Sequence, residues 1–445
     1  MPDSEKLART VSDTTSERTE GSTAAADAPA APPEMCCMDK TAAATAARAI
    51  YIKSIARGVV LLALVIFGVL SIYWGSVWST PAHTLPAWVV DFDGGIIGQG
   101  VAQALSASDP GRGGVSWEVV QASQFPGGIS QLEDAILHEK TWYGLAVHPG
   151  ATANLMAAIA SADATYNSST AMTFIATEAR NENIYRLHIR MVTPQLDSIS
   201  RALALQLAKN ISTLGNISAP LSTAPQVVTA PVGYTVANIR PFDVPVASAV
   251  TFVGLIYMLI LANFIVLIAA GARDVAGYDT RLTLGSLFRV RILTAVGAYF
   301  FLALFYTLLS RAFQLPLNRR FGDAGFVIFW MLNWVGMLAC GLALEAMLTL
   351  LTPRFVPFFL IVWIVTNVSV CVYPLQVLPH IYRYGYGFPF YNISRAVRTI
   401  VFGTKNDVGM NFGILIAWIA LSCMTMPLFQ WLVRRRKNAV ARSPN

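Results

Sequence analysis

The chain has 445 residues, 55% of them hydrophobic and only 13% charged, against about 25% charged in an ordinary soluble domain. Its net charge of +7 does not point to nucleic acid, because the clearest cationic cluster, Arg434 to Lys437, directly follows an apolar run, where membrane topology accounts for it. Of the five cysteines none falls between residues 79 and 243, so that hydrophilic stretch must fold without disulfides.

Residues 1–47 mix Ala, Ser, Thr, Pro and scattered charges without apolar periodicity, and are expected to form a disordered cytosolic tail. Lys53 and Arg57 precede an uncharged run ending at Trp78, so a first membrane helix is expected over 57–78. This run is too long and too far from the N-terminus for a cleaved signal peptide.

Residues 79–243 read as an extracytosolic α/β domain. Strands are expected at Ala87–Phe92, Val115–Val120 and Tyr143–Val147, with helices at Ile97–Ser106 and Ser130–Glu139 between them. Beyond Asn167 the apolar spacing becomes helical, and a connector rich in Pro and Thr, Thr223 to Pro245, leads back to the membrane. Five further spans are expected over 244–272, 292–310, 324–351, 355–378 and 408–433, followed by a basic cytosolic tail over 434–445. The fold class is thus a multi-pass α-helical membrane protein of about six helices, one plus five, with an inserted α/β domain.

Placing both termini in the cytosol puts Arg48, Lys53, Arg57, the Arg273–Arg291 loop, Arg354 and the C-terminal cluster on one side. Arg319, Arg320, Arg383, Arg395, Arg398 and Lys405 then fall on the other side, against the rule. The same topology exposes candidate N-glycosylation sites at Asn167, Asn210, Asn216 and Asn392.

Catalytic signatures are sparse. Asp91-Phe92-Asp93-Gly94-Gly95 resembles the start of a haloacid-dehalogenase phosphotransfer loop, but Gly95 stands where that chemistry wants Thr or Val. A polar strand end turning through glycines into a helix is the simpler reading. The five histidines show no zinc-ligand spacing and read as surface or turn residues. No phosphate-cradling loop or nucleophile elbow occurs, so neither an enzyme nor a cofactor or metal is expected. The candidate transport-pathway residues are Glu345, an ionisable group within an apolar run, and the amides Asn263, Asn333 and Asn367. Arg354 or an Asn is the expected partner of Glu345, with a headgroup-facing position at the cytosolic helix end as the alternative. The His380–Asn406 stretch, with alternating aromatics beside Arg395 and Arg398, reads as an interfacial or re-entrant helix.

Tyr73-Trp74-Gly75-Ser76, Val89-Val90-Asp91-Phe92-Asp93-Gly94, Arg240-Pro241-Phe242, Val253-Gly254-Leu255-Ile256-Tyr257, Pro389-Phe390-Tyr391-Asn392 and Arg398-Thr399-Ile400-Val401-Phe402-Gly403 together resemble the fungal nitrosoguanidine-resistance membrane protein family. The likeness covers about residues 55–435. That family is distantly similar to the membrane subunits of ABC-2-type exporters and to phage-infection-protein-like proteins. The resemblance implies export of, or resistance to, toxic amphipathic small molecules, with an effect on plasma-membrane lipids, and it transfers no catalytic residue. The alternative is a non-transporting scaffold or assembly factor whose outer domain binds a protein partner. Membrane lipids are the expected partners, with a homo-oligomer or a protein partner besides, no nucleic acid, and the plasma membrane as location.

Overall fold

The computed structural model describes residues 38–78, 80–211 and 218–442. The expected tail lies outside the described residues as far as residue 37, and from Ala42 onward it is helix rather than coil. Five helices among the described residues are long and apolar enough to cross a membrane: Ala42–Trp78, Ala249–Val275, Leu284–Ala312, Ala324–Leu351 and Val408–Arg436. Among the described residues, those up to Leu62, which include the first part of helix α1 (Ala42–Trp78), belong to one unit and those from Ala63 onward to a second.

Within the second unit a five-stranded sheet is built from β1 (Leu85–Asp91), β2 (Val115–Val120), β3 (Tyr143–Val147), β4 (Met172–Ala176) and β5 (Tyr234–Asn238). The order is β2-β1-β3-β4-β5, parallel except for the antiparallel β3–β4 pair. Central β3 and β4 are buried along their whole length, which is why their sequences run apolar without alternation. Helices α2 (Ile96–Ser106), α4 (Ala151–Ser161) and α5 (Glu182–Ile211) contribute Val101, Leu155 and Leu196 to the core on one face, against Val89, Leu145 and Phe174. Helix α3 (Ile129–Leu137) covers the other face through Leu132 and Ile136, against Val90, Ala146 and Ile175. β5 lies inside the stretch expected to be a plain connector; its half-exposed edge position leaves only a weak apolar signal.

The membrane helices that follow are α6 (Gly254–Val275, entered through a π turn at Ala249–Val253), α7 (Leu284–Ala312) and α8 (Ala324–Leu351). After α8 comes α9 (Pro353–Val368). A straight helix from Gly336 to Asn367 would span roughly 46 Å. Instead, Gly336 lies against Ile393, and Asn367 accepts a hydrogen bond from the Phe390 N–H at 3.1 Å. The chain has therefore doubled back near the Pro353–Pro357 pair, where the missing N–H groups and ring clashes disfavour a straight helix.

Two expectations need correction here. The apolar run 355–378 is not one span: helix ends at Val368, and residues 369–379 are turns. Their buried side chains seat the α/β domain. Val377 joins that domain's core, the Ala82 N–H donates to the Val377 carbonyl at 2.7 Å, and Asn181 and Asn183 both donate to the Val372 carbonyl. Of the two readings of the His380–Asn406 stretch, interfacial and re-entrant, the interfacial one does not hold. A 3-10 segment, His380–Gly387, leads into α10 (Pro389–Phe402), in which every residue but Tyr391 and Arg395 is buried. A helix lying on a bilayer would keep one face wet, whereas this one is wedged between the bundle and the α/β domain. The last helix, α11 (Val408–Arg442), continues through the basic residues expected to form a separate tail.

Three of the five arginines that broke the positive-inside pattern are partners across folded interfaces. Arg319 grips Asp243 bidentately at 2.7 and 2.9 Å. Arg395 contacts Glu139 of the α/β domain at 3.0 Å and Asp407 at 2.8 Å, and Arg398 contacts Glu182 at 2.6 Å.

Candidate functional site

At the end of the bundle away from the α/β domain, three helices bring charged side chains together out of water. Connectivity fixes the level: α6 and α8 run away from the domain, α7 starts back toward it, and Arg273, Glu345 and Arg291 fall near the distal ends. One oxygen of the Glu345 carboxylate receives Arg273 Nη2 at 2.7 Å and Arg291 Nε at 2.6 Å. Arg291 Nη2 also donates to the Glu345 carbonyl at 2.6 Å and to Thr349 Oγ1 at 2.7 Å, spanning one turn of α8. All three ionic side chains are buried. The triad therefore carries one positive charge in excess, and the half-exposed Asp279, 3.9 Å from Arg273 Nε, offsets it only in part.

Glu345 is thus neither headgroup-facing nor paired with Arg354 or an Asn. Its partners were hidden in the sequence because Arg273 and Arg291 flank a short loop and read as ordinary positive-inside residues. Beside the triad opens a cavity of about 620 Å³, lined by Arg273, Arg291 and Arg434, by Asp274, Asp279 and Gln430, and by an apolar wall that includes Leu267, Leu287 and Leu348. Arg434 donates to the carbonyls of Asp279 and Leu282 at 3.1 and 2.9 Å, pinning the loop before α7 to the end of α11. Buried Gln430 Oε1 has no hydrogen-bond partner among the described residues. The arrangement can take a molecule with an apolar body and a polar or charged end.

The three amides are not gathered at this cavity. Asn367 is structural: its Nδ2 donates to the Trp363 carbonyl at 2.9 Å while its Oδ1 caps the start of α10. Asn263 Oδ1 and Asn333 Nδ2 are buried without partners among the described residues. Asn411, in the first turn of α11, leaves both side-chain amide atoms in the same condition. Asn411 carries no signal of this in the sequence, because it stands close to the polar start of a span.

In the α/β domain, Asp91 and Asp93 do the work of a turn. Asp91 Oδ1 accepts from the N–H groups of Asp93 and Gly94 at 2.9 Å each. Asp93 accepts from the Thr152 N–H at 3.0 Å and from the Thr152 hydroxyl, so it caps the start of α4. The crevice between β1 and β3, where a doubly wound sheet would take a phosphate, is thus filled by the chain's own carboxylates. His188 departs from the surface role expected of it: it is buried, with Nδ1 3.0 Å from the Tyr143 hydroxyl and Nε2 3.0 Å from the Gly113 carbonyl.

Of the candidate glycosylation sites, Asn167 is exposed, its Oδ1 accepting from Ser169 N and Oγ. Asn392 must be withdrawn: it is buried, and its Nδ2, the atom a glycan would occupy, donates to the carbonyls of Tyr386 and Phe388 at 3.0 and 2.8 Å. Asn216 lies outside the described residues, and Asn210 closes α5 near its end.

The family profile described as "Protein of unknown function (DUF3533)" matches residues 58–424. A Saccharomyces cerevisiae protein described as an uncharacterized endoplasmic reticulum membrane protein is 24% identical over 397 residues, covering 82% of this chain and 77% of its own. No solved structure matches. Together with the five apolar helices, these matches make the chain a multi-pass membrane protein.

Proposed function

The chain belongs to the DUF3533 family, and on that premise we propose that it is a transporter-like protein that moves, or helps a partner move, toxic amphipathic small molecules across or out of the membrane. The carrying observation is the cavity beside Glu345: about 620 Å³, apolar on one wall, with Arg273, Arg291 and Arg434 set against Asp274 and Asp279. An ionisable cluster at membrane depth is costly and is usually retained for a pathway, and a pocket of a few hundred cubic ångströms suits a drug-sized ligand. In this reading the distal cavity receives cargo from the cytosolic side, with both termini cytosolic and the α/β domain on the opposite face. The protein's station is the secretory membranes, from the endoplasmic reticulum named for the yeast relative to the plasma membrane. The likeness to nitrosoguanidine-resistance proteins supports the choice of cargo. No bond-breaking chemistry is assigned to the chain.

The test is retention of a fluorescent amphipathic cation in cells lacking the protein, or expressing it as wild type or as Ala270→Trp, which places a bulky ring at the cavity wall. Wild type is expected to lower retention severalfold and the variant, at equal abundance, to lose that effect. Equal retention in all three would overturn transport and favour a scaffold whose α/β domain binds a protein partner.

A further inference from the structure

A second, smaller cavity lies at the joint between the α/β domain and the bundle, and its chemistry differs from that of the distal one. It measures about 40 Å³, and its lining includes Arg180, Asn181, Trp142, Ser394, Arg395 and Arg398. By this measure one water needs on the order of 10–15 Å³, so the space admits a monatomic ion or a few waters and excludes a lipid headgroup or a drug.

Charge decides between those occupants. Four cations meet here, Arg180, Arg395, Arg398 and Lys405, against three carboxylates, Glu139, Glu182 and Asp407. Glu178 does not alter the balance, because Arg186 and the Phe242 N–H engage it. The surplus comes from Lys405, a third exposed at the rim, which shares Asp407 with Arg395. Within the cavity Arg180 has the weakest counter-ion, its nearest carboxylate oxygen lying 3.7 Å away on the Glu139 that Arg395 also engages. Arg180 shows the strain most plainly: burial, with Arg395 adding repulsion against the attraction of Glu139, lowers its pKa to about 10. Its guanidinium stacks 3.4 Å from the centre of the Trp142 ring and donates Nη1 to the Thr141 carbonyl. A guanidinium has five N–H donors. The ion pairs and carbonyl bonds of the joint engage Nη2 of Arg395 and Nη1 of Arg398, so further donors are at hand for an anion.

We propose that this cavity binds one small monovalent anion, chloride in the cell, between the guanidiniums of Arg180, Arg395 and Arg398, and that the ion holds the α/β domain to the bundle. The site stands apart from the distal cavity and does not depend on the transport reading.

Thermal unfolding of the purified full-length protein, in sodium gluconate with increasing chloride or bromide at constant ionic strength, tests it. The melting temperature should rise saturably with either halide and stay level with gluconate alone, which is too large for the cavity. Arg180→Gln should raise the half-saturating halide concentration at least tenfold. Should that variant fail to fold, anomalous diffraction from wild-type crystals grown in bromide decides, with a peak expected among the three guanidiniums. No peak there, or a wild-type melting temperature that does not change as halide replaces gluconate, overturns the proposal and leaves the cavity to water.

Discussion

Arg398 and Glu182 meet at 2.6 Å across the joint between α10 and the first turn of α5, with the same Arg398 nitrogen donating to the Ala179 carbonyl at 3.0 Å. One buried side chain of the bundle thereby holds both the start of the long α/β-domain helix and the turn before it.

Breaking this pair should loosen the domain from the bundle. Glu182→Gln leaves Arg398 buried without its counter-charge, at a cost of about 3–5 kcal/mol. Limited proteolysis or hydrogen exchange should show increased opening around residues 178–186 and 389–402.

The same pair sets a pH dependence. Burial pushes the Glu182 carboxyl up, but the Arg398 guanidinium outweighs it and holds the group below its ordinary 4.5. Its folded pKa is depressed, so the unfolded chain binds the proton more readily and the stabilisation is present above pH 4.5. It is lost as pH falls below that value, and melting scans from pH 7 to 4 should show this drop shrink in Glu182→Gln.

Glu345→Gln should damage abundance before activity. The change leaves Arg273 and Arg291 buried around a neutral amide, costing about 3–5 kcal/mol. The double variant Glu345→Gln with Arg291→Gln should recover part of the loss, as measured by melting in detergent. No recovery would mean that the two charges are not energetically coupled.

Gly98 packs against Asp91 so closely that an added Cβ would lie 1.9 Å from Oδ1. Gly98→Ala should therefore destabilise the α/β domain by roughly 1–3 kcal/mol through overpacking. Asp93→Ala should cost about 0.5–2 kcal/mol as a lost cap while leaving the retention phenotype unchanged at equal abundance.

If the α/β domain faces the lumen, Asn167→Gln should remove a glycosidase-sensitive mobility shift on gels and Asn392→Gln should not.

The parts legible in the sequence were those set by local pattern. Strands β1 to β3 follow from short apolar, β-branched and aromatic runs, helices α2 and α3 from 3.6-residue spacing, and the long apolar helices from run length. The turns of 369–379 and the burial of α10 are not legible because apolarity does not record what a residue is buried against; Val377 in a domain core and Ile393 against Gly336 look like lipid-facing residues. Glu345 stood out because a lone carboxylate in an apolar run is conspicuous. Its partners come from two other helices, whose approach only the packed structure reveals.

Helix α9 rises only about 24 Å, short of a hydrocarbon core of about 30 Å. Backbone that stops short of the surface cannot be left facing lipid tails. Here the buried turns of 369–379 and the enclosed α10 take up the difference. The α/β domain is consequently seated on buried turns and an enclosed helix rather than on the end of a full-length span.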